Sequence, residues 1–199
     1  MRSILFIGDS VTDCGRDRTD PHSLGDGYVA RIAAAQPTWT LHNRGISGNR
    51  VRDLRARWGT DCLDLAPSLV SVLIGVNDTW RRYDRDDPTS AEEYEEDYDA
   101  ILAETTRRLS ARLVLVEPFL LPVRPEQEAW REDLEPKLEV VRRLARTYDA
   151  TLVPVDVALT EAAREEGAAT LAHDGVHPTP RGHDLIATSW LATVGPVES

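Results

Sequence analysis

The sequence predicts a three-layer α/β/α sandwich around a parallel sheet of five strands, and three observations carry that prediction. Short apolar runs, most of them rich in β-branched residues, recur along the chain. Longer segments with helical spacing separate them. No Gly/Ser/Pro-rich linker divides the 199 residues, so the organisation expected is one domain over 1–199.

The runs are Ile4 to Ile7, Trp39 to Leu41, Leu69 to Ile74, Leu113 to Val116 and Leu152 to Val155. Unbroken apolar stretches of this kind suit strands covered on both faces. Helical spacing appears over Tyr28 to Gln36, Val51 to Trp58, Gln127 to Tyr148, Val157 to Glu166 and Arg181 to Leu191. A further helix is expected after Ser90, which spells a capping box with Glu93 and precedes a stripe of Tyr94, Tyr98, Ile101, Leu102, Thr105 and Leu109. Pro136 is expected to begin, break or kink a helix, because its ring lacks an N–H and crowds the preceding turn. Regular alternation of strand and helix implies right-handed crossovers and helices on both faces, a doubly wound, flavodoxin-like sheet.

Sheets of this kind place their sites beyond the carboxyl ends of the strands. Ser10 follows the first run, Asn43 to Arg50 the second, Gly75-Val76-Asn77-Asp78 the third and Pro118 to Pro125 the fourth. Four loops are thereby aimed at one edge.

Composition narrows the partners. At 41% apolar residues, with no run near the roughly 20 needed to span a bilayer, the chain reads as soluble and globular. The apolar run at 4–7 is too short for a secretory core, so the expected compartment is cytoplasmic, with Cys14 and Cys62 as reduced thiols. A net charge of -11 opposes nucleic acid and anionic membranes and favours a neutral or cationic small molecule. The acidic run from Glu92 to Asp97 reads as a solvated helix face. Without zinc-ligand spacing, a Gly-x-Gly-x-x-Gly sequence or a phosphate loop, no cofactor or metal is expected.

Ser10 is a candidate nucleophile, but a serine needs a base to remove its proton. His173-Asp174-Gly175-Val176-His177-Pro178 supplies one. His177 suits proton transfer near neutrality, and Asp174, three residues earlier in a loop bent by Gly175 and Pro178, can orient it. An oxyanion needs donors, and the backbone N–H groups of Ser10 and Gly48 and the Asn77 amide are available. Asp9 and Ser10 are also favoured helix caps, so capping is the competing account of the Gly8-Asp9-Ser10 turn, and the two can hold together, with Ser10 at a helix start and Asp9 tying the loop to neighbouring backbone N–H groups. Ser47, in a near match to Gly-x-Ser-x-Gly, is a decoy because Asn49 stands where the last glycine belongs. Asp156, at the end of the fifth run, is a rival orienter. His22, His42, His173 and His183 read as surface or loop residues, with His173 the one most able to substitute for a triad member. Asp9, Trp80 and Tyr83 are candidate substrate contacts, with packing the alternative for the aromatics and favoured for Trp58. Arg81 and Arg82 read as surface charge or subunit contacts, and homo-oligomer formation is left open.

Gly8-Asp9-Ser10, Gly48, Gly75-x-Asn77-Asp78 and Asp174-x-x-His177 occur in the order of the four blocks of the SGNH hydrolases, or GDSL esterases, which this chain resembles over nearly its whole length. Val11 departs from the leucine of the GDSL name. The stretches FIGDSVTDCGR, NRGISGNRVRDLRARW, GVNDTWRRYD and DGVHPTPRGH are similar to the intracellular acetylxylan esterase branch. The resemblance implies an α/β/α fold, a Ser10–His177–Asp174 triad, an oxyanion hole of Ser10, Gly48 and Asn77, no metal, and deacetylation of xylan-derived sugars. Other small acyl esters or thioesters are the alternative substrates. More remote readings are a metal-dependent phosphoesterase using Asp9, Asp13, Asn77, Asp78 and His177, and a non-catalytic carbohydrate-binding module built on the aromatics.

Overall fold

The computed structural model describes residues 3–195; the outermost positions of the expected 1–199 domain lie outside the described residues. Five strands, β1 (Ser3–Gly8), β2 (Thr40–Gly45), β3 (Leu69–Leu73), β4 (Arg112–Val116) and β5 (Thr151–Val153), form one sheet in the order β2-β1-β3-β4-β5. Every pairing is parallel. The order reverses between β1 and β3, which is the switch point where open parallel sheets take ligands.

The α-helices among the described residues are α1 (Ser10–Asp13), α2 (Tyr28–Ala35), α3 (Val51–Trp58), α4 (Val76–Arg85), α5 (Ala91–Arg108), α6 (Glu128–Thr147), α7 (Val155–Glu166), α8 (Ala168–Leu171) and α9 (Pro180–Val194). Alternation along β1 sorts them into layers. Ile4 and Phe6 belong to a core with Tyr28 and Ile32 of α2, Leu159 of α7 and Trp190 of α9. Leu5 and Ile7 belong to a second with Leu54 and Trp58 of α3, Tyr98 and Leu102 of α5, and Val141 and Leu144 of α6. Truncating a ring as fully buried as Phe6 costs about 3–5 kcal/mol.

The capping box opens α5: Ser90 Oγ accepts from the Glu93 N–H at 3.1 Å, and the Glu93 carboxylate accepts from the Ser90 N–H at 2.9 Å. Several boundaries differ from expectation. β2 runs on to Gly45, so part of the expected 43–50 loop is strand. β5 stops at Val153 because Pro154 has no N–H for the ladder, and α7 starts directly after it. Pro136 neither begins nor breaks α6; the Asp133 carbonyl, in the turn that the ring crowds, accepts from the buried Lys137 ammonium at 3.2 Å. The Gly75–Asp78 segment is not a loop, since α4 begins at Val76. No helix among the described residues is long and apolar enough to cross a membrane.

Candidate active site

The turn after β1 starts with a close approach. A Cβ on Gly8 would stand 2.1 Å from the Leu73 carbonyl oxygen and 2.7 Å from Thr12 Oγ1, so only glycine lets β1 pass β3 here. Asp9 caps α1 by accepting from the Val11 N–H at 3.0 Å, which places Ser10 at the start of that helix. Capping and presentation of Ser10 are parts of one device rather than rival accounts. Asp9 itself is buried beneath the site, and its burial, partly offset by the Val11 N–H and by His177, pushes the carboxyl up to about 7.

Ser10 Oγ lies 3.0 Å from His177 Nε2, and His177 Nδ1 lies 2.7 Å from Asp174 Oδ2. The other Asp174 oxygen accepts from the backbone N–H groups of Val176 at 3.0 Å and His177 at 2.8 Å. Burial raises the Asp174 carboxyl, but the backbone and ring bonds from His177 and the Val176 N–H outweigh it and hold the group below its ordinary value. One oxygen therefore organises the loop while the other holds the imidazole. An alcohol, an imidazole and a carboxylate in series can move the alcohol proton to the ring and so make the oxygen a nucleophile.

The support beneath this loop was not foreseen from the sequence. Gln127, fully buried just before α6, donates from Nε2 to the Asp174 carbonyl at 2.6 Å and accepts from the Val123 N–H at 2.9 Å. The Leu121 N–H donates to the Gly175 carbonyl at 2.9 Å, so the segment after β4 fastens the loop twice. A small apolar cluster of Val76, Leu120, Trp130, Leu134, Leu138 and Val176 packs below, with Trp80 against it. A single buried glutamine carries no sequence signal of this role.

The donor positions converge on the same edge. Gly48 sits at φ +85°, and a Cβ there would meet nothing within 4 Å, so its backbone faces open space in a conformation that disfavours other residues. Its N–H has no acceptor among the described residues. Asn77, in the first turn of α4, donates from Nδ2 to the Asn49 carbonyl at 3.1 Å and accepts from Arg81 at Oδ1 at 3.0 Å. The Arg81 guanidinium thus fixes which end of the amide carries the N–H groups, and one Nδ2 hydrogen stays available. Arg81 is therefore not surface charge: its side chain is 13% exposed and its guanidinium lies 5.1 Å from the Trp80 ring centre. Beside Asn77, Asp78 accepts from the Val51 N–H at 3.2 Å, so neighbouring residues of α4 clamp the chain on both sides of Arg50. Burial pushes Asp78 up to about 8, and its Oδ1 has no partner among the described residues.

The remaining candidates separate cleanly. Ser47 is turned away, with its hydroxyl and N–H on Asp13 at 2.8 and 3.0 Å. Asp156 is no orienter, because both its oxygens take Arg131, at 2.6 and 2.9 Å. His183 is not a surface residue: it is buried in α9, accepts from the Tyr28 N–H at 3.2 Å, and is pushed down to about 4 by burial. His173 is exposed beside the loop, with Asp174 rather than His173 on the His177 ring. Trp80 meets His177 edge to face with centroids 5.8 Å apart. Tyr83 does not join this group; it stacks on Trp130 and donates to the Ala129 carbonyl at 2.9 Å. Trp58 is core, bonded to Thr105 at 3.0 Å. Asp13, the supposed metal ligand, is shared by Arg16, Arg18 and Ser47, and no group of three metal-ligating side chains gathers among the described residues. Cys14 and Cys62 are unpaired.

A serine, histidine and aspartate in hydrogen-bonded series, at the switch point of a parallel sheet and beside unpaired donors, defines a serine-hydrolase type of site. The chain belongs to the GDSL-like lipase/acylhydrolase family, whose model matches residues 6–185. It is 37% identical to an acetylxylan esterase of Geobacillus stearothermophilus over 96% of this chain and 93% of that protein. Its structure is similar to that of the Geobacillus stearothermophilus acetylxylan esterase Axe2, with a TM-score of 0.88 at 35% identity over 98% of this chain and 94% of the other. Structures described as catalytic mutants of Axe2, with a serine, an aspartate or a histidine replaced by alanine, match with TM-scores of 0.88, 0.89 and 0.88.

Proposed function

We propose that this protein is a serine esterase that removes O-acetyl groups from short carbohydrates such as xylo-oligosaccharides, through an acetyl-enzyme on Ser10. The observation that carries the reading is the 3.0 Å and 2.7 Å pair of bonds linking Ser10, His177 and Asp174. Ser10 Oγ attacks the acetyl carbonyl while its proton passes to His177 Nε2. Asp174, held ionised by two backbone N–H groups, stabilises the imidazolium. The oxyanion is met by the Ser10 and Gly48 N–H groups and the spare Asn77 hydrogen. His177 then protonates the departing sugar oxygen, and a water that it deprotonates attacks the acetyl-serine, releasing acetate.

Similarity to the Geobacillus acetylxylan esterase supports the sugar substrate, and Trp80 beside His177 supplies an aromatic wall suited to the apolar face of a pyranose. Asp9 and Tyr83 take no part in substrate contact in this reading. The unpaired cysteines fit a reducing compartment, so we take the substrate to be an oligosaccharide met in the cytoplasm. A hydrolysis panel tests the reading: acetylated xylo-oligosaccharides should give the highest kcat/KM, ahead of other acetylated sugars, longer acyl esters and thioesters. A preference for long acyl chains or thioesters would overturn it.

A further inference from the structure

Next to the Gly48 loop three arginines gather on one stretch of surface, although the chain as a whole is acidic. Arg16, Arg18 and Arg44 line a pocket of about 380 Å³ together with Thr19, Pro21, Ile46 and Asp61. Its one lining carboxylate, Asp61, is paired with Arg57. Asp13, beneath, is shared by Arg16, Arg18 and Ser47, leaving four guanidinium groups against two carboxylates. The exposed acids of the neighbouring loop are engaged within that loop, Asp17 accepting from the Thr19 N–H and hydroxyl and Asp20 from the His22 N–H. Arg44 has no carboxylate partner among the described residues; it donates from one nitrogen to the Pro21 and Asn43 carbonyls, both at 3.3 Å. Arg16, only 6% exposed, is fixed by Asp13 at 3.2 Å and the Gly45 carbonyl at 2.6 Å. Arg18 already spends its Nε and Nη2 on Asp13, and Arg16 spends the same two nitrogens on Asp13 and the Gly45 carbonyl, so the N–H groups left for an oxyanion are chiefly those of Arg44, with the remaining Nη1 of the other two beside them.

We propose that this pocket is a subsite for the carboxylate of an acidic sugar residue. The ligand we assign is a carboxylate, whose two coplanar oxygens match a pair of guanidinium N–H groups; a phosphate preference is an outcome of the test. The subsite adjoins the reaction centre along the chain, since Arg44 and Ile46 line it and Gly48 follows two residues later in the same segment. Only the link to substrate choice rests on the esterase reading; binding of the acid does not.

Titration calorimetry with D-glucuronate, D-glucose and inorganic phosphate on the full chain tests the site without any turnover. Glucuronate should bind, glucose should not, and phosphate should bind more weakly than glucuronate. Arg44→Gln should weaken glucuronate by about tenfold or more, as expected for loss of a charged hydrogen-bond donor. Arg18→Gln, at a position half exposed, provides a second variant in case Arg44→Gln fails to fold, and should weaken binding in the same direction. Glucuronate binding no better than glucose, or unchanged in both variants, overturns the subsite; phosphate binding more tightly overturns the carboxylate assignment. A chain inactive on every acetylated sugar can still pass this test, and an active esterase can fail it.

Discussion

Replacing Asp174 by asparagine changes one atom's chemistry and leaves the loop its shape. One carboxylate oxygen accepts from Val176 and His177, and the asparagine carbonyl can take over that duty. The amide NH2 then faces His177 Nδ1, where the carboxylate stood at 2.7 Å. A donor there forces Nδ1 to accept, so the ring proton moves to Nε2, the atom that must accept from Ser10. Loss of the charge-assisted bond alone costs about 1.5–3 kcal/mol, and because both side chains are half exposed the lower end applies. The wrong tautomer adds to this, and a comparable change in a serine-protease triad lowers kcat about 10⁴-fold. The expected loss in kcat on p-nitrophenyl acetate is therefore about 10²- to 10⁴-fold, with little change in thermal unfolding. A loss under about tenfold would refute the role given to Asp174.

Asn77→Ala should lower kcat by about 10²- to 10³-fold in steady-state assays, as removal of an oxyanion donor does; a smaller loss would move that role elsewhere. Arg81→Met releases the Asn77 carbonyl, so kcat should fall by about tenfold while KM holds, and an unchanged kcat would make the contact merely structural. Buried Asp78 and Asp9, pushed up to about 8 and about 7, hold protons in the folded state that the unfolded chain releases above about 4. Their contribution to stability is complete below that pH and is lost as pH rises toward 8. Asp78→Asn, which copies the neutral acid, should shrink the fall in unfolding free energy between about pH 5 and about pH 8 by about 2–4 kcal/mol in urea titrations; an identical fall in both proteins would contradict this.

The layers were legible because apolar runs at β1, β3 and β4 and the capped stripe of α5 carry their own periodicity. α4 was not, because the buried residues of its first turn are Val76, Asn77, Asp78 and Thr79, mostly polar and without an apolar period. The triad could be read because Ser10 stood at the expected end of the first strand and an acid and a histidine stood three residues apart in one turn-rich loop. Gln127 and Arg81 could not, since one works through a backbone carbonyl 47 positions away and the other lies in a run of charges that resembles solvated surface. His183 misled for the reverse reason: its burial depends on α2 packing over α9, which no local pattern announces.

The acetyl-enzyme offers the most direct test. Acid-quenching the enzyme during turnover of an acetyl ester and mapping its peptides by mass spectrometry should find one acetyl group on the peptide holding Ser10. In Ser10→Ala, folded as judged by circular dichroism, that label and ester turnover should both vanish. Undiminished turnover in Ser10→Ala, or an acetyl group on another residue that persists there, would contradict the account.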